Sequence, residues 1–110
     1  MTSVLDDASV GLLGVLAEPN RATIVRALAR EELCTCHLVG LTGARQTNVS
    51  NHLRVLRDAG VVEGEQVGRY TYYRLVPEAV EQVAGLLSEL AREARTTAAR
   101  GTTARRRSCD

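Results

Sequence analysis

Apolar residues recur at helical spacing in five segments of the chain, and one alternating stretch separates the fourth from the fifth. Val4, Leu5, Ala8, Leu12, Val15 and Leu16 form one stripe, which predicts a first helix running up to Ala17. Glu18-Pro19-Asn20 breaks it. Pro19 suits the first turn of a second helix that buries Ile24, Val25 and Leu28 and turns Arg21, Arg26 and Arg30 to water, fading near Glu31-Glu32. Residues 35–42 predict a short third helix with Leu38 and Leu41 inward, followed by the turn Thr42-Gly43-Ala44, where Gly43 takes the positive φ of a tight bend. In a fourth helix over residues 45–59, Val49, Leu53 and Leu56 share one side, and Gly60 closes it.

Val61-Val62-Glu63 and the Tyr- and Thr-rich run from Arg69 to Leu75 predict two strands joined through residues 64–68. Pro77 opens a last helix in which Val80, Val83, Leu87 and Leu90 repeat, and little within one copy of the chain is left to cover that stripe. From Thr96 onward the periodicity stops. The pattern predicts a mainly α domain with a small β-hairpin over residues 1–95, in the order α-α-α-α-β-β-α, and a flexible Arg-rich tail over 96–110.

With no Trp, no Phe and only three Tyr among 110 residues, the core has to come from Leu, Val, Ala and Ile, which suits helix packing. The apolar runs are short and broken by glycine, and no basic leader precedes them. A cytoplasmic protein with no membrane partner is expected. In that setting three cysteines point to metal binding or redox sensing rather than to a disulfide framework.

The net charge of +1 hides an uneven distribution, with an acidic excess before residue 45 and an arginine excess over 45–75 and again over 92–110. On a helical wheel Gln46, Thr47, Ser50, Asn51 and Arg54 fall within an arc of roughly 140° opposite the Val49, Leu53, Leu56 stripe. Amides suit adenine, arginine suits guanine, and hydroxyls suit phosphate or base edges. Preceded by a short helix and a glycine turn and followed by a hairpin carrying Arg69 and Arg74, this face fits a helix-turn-helix with a wing, Arg69 approaching the minor groove or backbone.

Four separated motifs, Leu16-Ala17-Glu18-Pro19-Asn20-Arg21, Glu32 to Leu38, Asn48 to Gly60 and Gly68 to Leu75, together resemble the ArsR/SmtB family of metal-responsive repressors over about residues 12–90. The resemblance implies a winged helix-turn-helix repressor that binds operator DNA as a homodimer through its first and last helices. It also matches His52 to a common family histidine that touches phosphate or serves as a half-buried structural group. Where relatives often cap the reading helix with serine this chain has Arg45, so Thr42 or a backbone turn has to serve instead.

Cys34 and Cys36 stand at the start of the helix-turn-helix. By resemblance their Glu-Leu-Cys-x-Cys-x-Leu setting is the inducer box of arsenite and antimonite sensors, also found in cadmium and lead sensors. The chemistry agrees, since two thiolates form a soft chelate that favours As(III) or Sb(III) over hard cations. A pyramidal metalloid takes a third thiolate, for which the chain offers Cys109, and His37 is a candidate nitrogen ligand for zinc or cadmium. The alternatives are a Cd, Pb or Zn sensor on the same scaffold and a thiol-redox switch, the latter opposed by the strain of an i, i+2 bridge. In a regular helix residues i and i+2 point about 200° apart, so capture of one ion by both sulfurs predicts an unwound first turn. No phosphate-binding glycine loop and no Cys-x-x-Cys supports an enzyme.

Overall fold

A computed structural model describes residues 6–109, so Val4 and Leu5 of the first apolar stripe lie outside the described residues. The elements follow in the order α1 (Asp7–Ala17), α2 (Pro19–Leu28), β1 (Leu33–Cys34), α3 (Thr35–Thr42), α4 (Gln46–Asp58), β2 (Val62–Val67), β3 (Tyr70–Leu75), α5 (Pro77–Ala98) and α6 (Thr102–Arg105). Local chemistry sets most of the boundaries. Asp6 caps α1 by accepting the Ser9 N–H at 2.7 Å, and Glu18 caps α2 by accepting the Arg21 N–H at 2.8 Å, with Pro19 in the first turn. Gly43 ends α3 at φ 70°, and Thr42 Oγ1 steadies the bend by donating to the Leu38 carbonyl and accepting the Ala44 N–H. No side chain caps α4, whose N-cap is Arg45.

Ile24, Leu38, Val49, Leu53, Leu56, Val61 and Val62 form the fully buried centre, where α2, α3 and α4 meet the base of the hairpin. The Val76 N–H donates to the Val61 carbonyl at 2.8 Å and closes that base. Helix α1 packs on α5, where Gln82 Nε2 donates to the buried Ser9 hydroxyl at 3.0 Å. The outer side of this pair leaves Val10, Leu87 and Leu90 between 44% and 49% exposed.

The structure departs from the sequence pattern in five places. A two-residue strand, β1, pairs antiparallel with β3 and makes the hairpin a three-stranded sheet in the order β1-β3-β2. The hairpin is longer than expected. Its strands run to Val67 and resume at Tyr70, and Gly64 within β2 sits opposite Tyr73, where an added Cβ would come within 3.1 Å of Thr71 and 3.3 Å of the Tyr73 ring. Leu41 faces outward at 58% exposure, since only Leu38 of that pair aligns with the core. Arg21 is drawn inward by polar partners described below. Helix α5 continues to Ala98 and α6 follows, so the segment after residue 95 begins in helix. There Thr96 and Thr97 return their hydroxyls to the carbonyls of Arg92 and Glu93, and Arg92 pairs with Glu89.

Candidate functional site

Helix α4 carries its apolar residues on one side and exposes Gln46, Thr47, Ser50, Asn51 and Arg54 on the other. A shallow groove on that face is lined by Thr47, Asn48, Ser50, Asn51 and Arg54. Asn48 was missed in the sequence because it falls outside the arc of the other five. The Asn51 carbonyl oxygen accepts from the Arg54 guanidinium, which holds the arginine across the face before any ligand arrives. Arg69 sits exposed at the hairpin tip beside Gly68, whose φ of 63° makes the turn. Arg74 does not join it, being paired across the sheet with Glu63 at 3.1 Å and Glu65 at 3.4 Å.

His52 stands apart from the other candidates. Its ring turns from the exposed face toward the α1–α2 corner, with Nδ1 3.3 Å from Arg21 Nη1 and 3.7 Å from Glu18 Oε2.

The thiols lie at the junction of β1 and α3. Cys34 is both the last residue of β1 and the N-cap of α3, with extended backbone at φ −92°, ψ 170°. Its side chain therefore folds back over the first helical turn instead of radiating from it. The Cys34 and Cys36 sulfurs are 2.7 Å apart, and Cys34 Sγ lies 3.3 Å from His37 Nδ1. This corrects the expectation of an unwound turn: the 200° argument requires both residues to be helical, and Cys34 is not.

His37 Nδ1 also accepts the Cys34 N–H at 3.2 Å, closing a box around the helix start. The three ligand atoms fall within 4.8 Å of one another. Cys109, exposed beyond α6, is not part of this group.

A thiol hydrogen bond from Cys36 lowers the pKa of Cys34 against the opposing effect of burial, and the same bond raises that of Cys36. Cys34 is thus the more acidic of the two thiols. Cys34 is buried while Cys36 and His37 are exposed, so an ion approaches from solvent past Cys36 and His37 to reach the more acidic sulfur. One sheltered and one exposed cysteine sulfur and an imidazole make a soft donor set with one borderline nitrogen.

The site is tied to the wing as well as to the reading helix. Cys34 pairs in the sheet with Tyr72 of β3, and the His37 ring lies 6.4 Å from the Tyr72 ring, centroid to centroid. Nothing in the sequence signalled β1, since two residues carry no periodicity.

Comparison with known proteins puts this arrangement in context. A profile described as bacterial regulatory protein, arsR family, matches residues 18–64. The chain is 40% identical over 73 residues to the arsenic resistance transcriptional regulator ArsR1 of Pseudomonas putida, covering 66% of this chain and 57% of that protein. It is 32% identical over 81 residues to the arsenical resistance operon repressor of Escherichia coli, covering 73% of this chain and 69% of that one. Several curated relatives are matched over only about half of their length. Among solved structures, the homodimeric winged helix-turn-helix DNA-binding domain of a possible ArsR-family regulator from Mycobacterium bovis superposes with a TM-score of 0.61 at 30% identity, covering 81% of this chain and 80% of that domain. A winged helix-turn-helix with thiols at the mouth of its first reading element, matched in sequence across more than two thirds of a full-length repressor, has one family assignment: the chain belongs to the ArsR family of bacterial regulatory proteins.

Proposed function

We propose that the chain is a transcriptional repressor that binds operator DNA as a homodimer and releases it when Cys34 and Cys36 capture a thiophilic metalloid, As(III) or Sb(III). The observation that carries this reading is the 2.7 Å approach of the two sulfurs at the point where β1 becomes α3. Gln46, Thr47, Ser50, Asn51 and Arg54 read base edges, with Arg69 on the neighbouring backbone or minor groove. Cys109 of either protomer supplies the third thiolate of a pyramidal metalloid, brought in by the tail.

The proposed release follows from the size of an ion. An ion bound to both sulfurs at about 2.3 Å sets their separation and angle by its own coordination geometry. Capture of an ion therefore displaces the thiol protons and shifts the Cys34 and Cys36 side chains into that geometry. Cys34 is fixed in the sheet opposite Tyr72, and α3 packs on α4, so the displacement reaches the wing and the reading helix together. A coupling of about 3 kcal/mol lowers operator affinity more than a hundredfold.

The position of His37 favours a second reading, in which Cys34, Cys36 and His37 hold Cd, Zn or Pb. Mobility shifts with arsenite, antimonite, cadmium and zinc separate the two. Cys34→Ser and Cys36→Ser are expected to keep operator binding and to abolish release. Cys109→Ser is expected to weaken arsenite response and leave the cadmium response intact, and His37→Gln to do the reverse. Peroxide that relieves repression in metal-free protein, with arsenite inert, would overturn both readings in favour of a redox switch.

A further inference from the structure

Leu41, which the hydrophobic pattern turns inward, stands exposed on the wall of a groove of about 470 Å³ where the end of α2 faces α3. Ala27, Leu33, His37 and Gly40 line it with Leu41, and Arg30 and Glu31 complete the lining. Gly40 keeps the groove open, since a Cβ built there meets nothing within 4 Å.

The groove and the thiol pair share a wall. Leu33 precedes Cys34 in β1, and His37, whose Nδ1 lies 3.3 Å from Cys34 Sγ, follows Cys36 in α3. Gly40 comes one turn after Cys36, on the same face of that helix. An atom held by both sulfurs therefore stands at the imidazole edge of the groove.

The donor count decides what such an atom carries. Two sulfurs converge here, and Cys109 lies outside the group. Trivalent arsenic forms three bonds in a pyramid. Bound by two sulfurs, inorganic arsenite still keeps a hydroxyl or takes a third thiolate, whereas an arsenical that already bears one carbon is completed by the pair. Its carbon substituent then has to lie against the protein, and the surface adjoining the sulfurs is a groove with Leu33, Ala27 and Leu41 in its lining.

We propose that Cys34 and Cys36 also capture trivalent arylarsenicals, R–As(OH)2, and that the aryl group R packs in the groove against Leu33, Gly40 and Leu41. In the step two As–O bonds break and two As–S bonds form. Both thiol protons leave with the hydroxyls as two waters, the As–C bond stays intact and arsenic remains trivalent. Neither Cys109 nor a second copy of the chain takes part. This rests on the reading of the cysteine pair as a metalloid site, to which it adds a ligand class and the surface that selects it.

The test titrates phenylarsine oxide, which hydrates to R–As(OH)2 with R phenyl, alongside methylarsonous acid and arsenite. Each is added to the reduced full chain against a competing dithiol, and protein-bound arsenic is measured after equilibrium dialysis. Gly40→Leu fills the groove from a helix position with room for the side chain. It is expected to weaken phenyl capture by about tenfold or more and to leave methyl and arsenite capture within about threefold. Cys34→Ser and Cys36→Ser are each expected to abolish capture of the phenyl compound, and Cys109→Ser to leave it within about twofold. Equal effects of Gly40→Leu on the phenyl and methyl compounds overturn the groove, and a large phenyl loss in Cys109→Ser overturns the two-sulfur chelate.

Should Gly40→Leu fail to fold, methyl spectra of the wild-type chain decide. Ring-current shifts at Ala27, Leu33 and Leu41 are expected with phenylarsine oxide and not with methylarsonous acid, and unshifted methyls overturn the proposal. Should none of the three compounds bind the wild type, the metalloid reading itself falls. Should arsenite and methylarsonous acid bind with no contrast for the phenyl compound, only the groove falls.

Discussion

Glu18 does two jobs with one carboxylate. It caps α2 through the Arg21 N–H, and it stands beside His52 and Arg21 at the corner that holds the reading helix. The backbone hydrogen bond of Arg21 is the main reason its pKa falls below the ordinary 4.5, with a further N–H from Asn20 and the nearby positive charges adding to it. A lowered carboxylate pKa contributes stability that is present above the ordinary value and lost as the pH falls through the folded one. Glu18→Gln should therefore flatten the acid side of a plot of Tm against pH, with variant and wild type apart above the ordinary 4.5 and converging as the pH falls through the lowered folded value. Parallel curves would show that the carboxylate charge contributes nothing there. At this scale the sequence was legible in part: the five residues of the reading face and the cysteine pair stood out by type and spacing. The inward turns of Arg21 and His52 did not, because both depend on partners 31 positions apart in the chain.

The elements were read best where capping chemistry and periodicity agree. Pro19 and Pro77 open their helices, and Gly43 closes α3. The places that escaped are those where tertiary pairing decides. Strand β1 exists because β3 offers it an edge, and it alone makes Cys34 an extended N-cap instead of a helical residue, which reverses the inference about the thiols. Helix α5 outruns its apolar stripe, and the contacts along that extension, the threonine hydroxyls on its own carbonyls and the Arg92–Glu89 pair, are ones hydropathy does not record. The turn between α3 and α4 carries a test. Gly43→Ala puts a Cβ at φ 70° and is expected to cost about 1–2 kcal/mol in chemical denaturation. Gly40→Ala, inside α3 where an added Cβ meets nothing within 4 Å, is expected to gain about 0.5–1 kcal/mol. Equal effects would mean that the turn tolerates any residue and that α4 is not aimed by it.

For the whole molecule the open question posed by the structure is the uncovered side of α1 and α5. Val10, Leu87 and Leu90 form an apolar surface across the two helices, and the Mycobacterium bovis neighbour is described as homodimeric. The proposed homodimer predicts that Leu87→Glu combined with Leu90→Glu yields a monomer by sedimentation velocity. The monomer should keep its helical circular dichroism and lose at least tenfold in operator affinity, since one reading head replaces two. A variant that stays dimeric would move the interface elsewhere.

All three tyrosines of the chain, Tyr70, Tyr72 and Tyr73, lie on β3, and there is no tryptophan. The protein thus carries a built-in optical reporter confined to a single strand, the one that pairs with the cysteine-bearing edge. Ultraviolet emission excited near the phenol band sees the wing and nothing else, without a label or an engineered probe. A titration followed in that light separates an ion that disturbs the wing from one that merely binds.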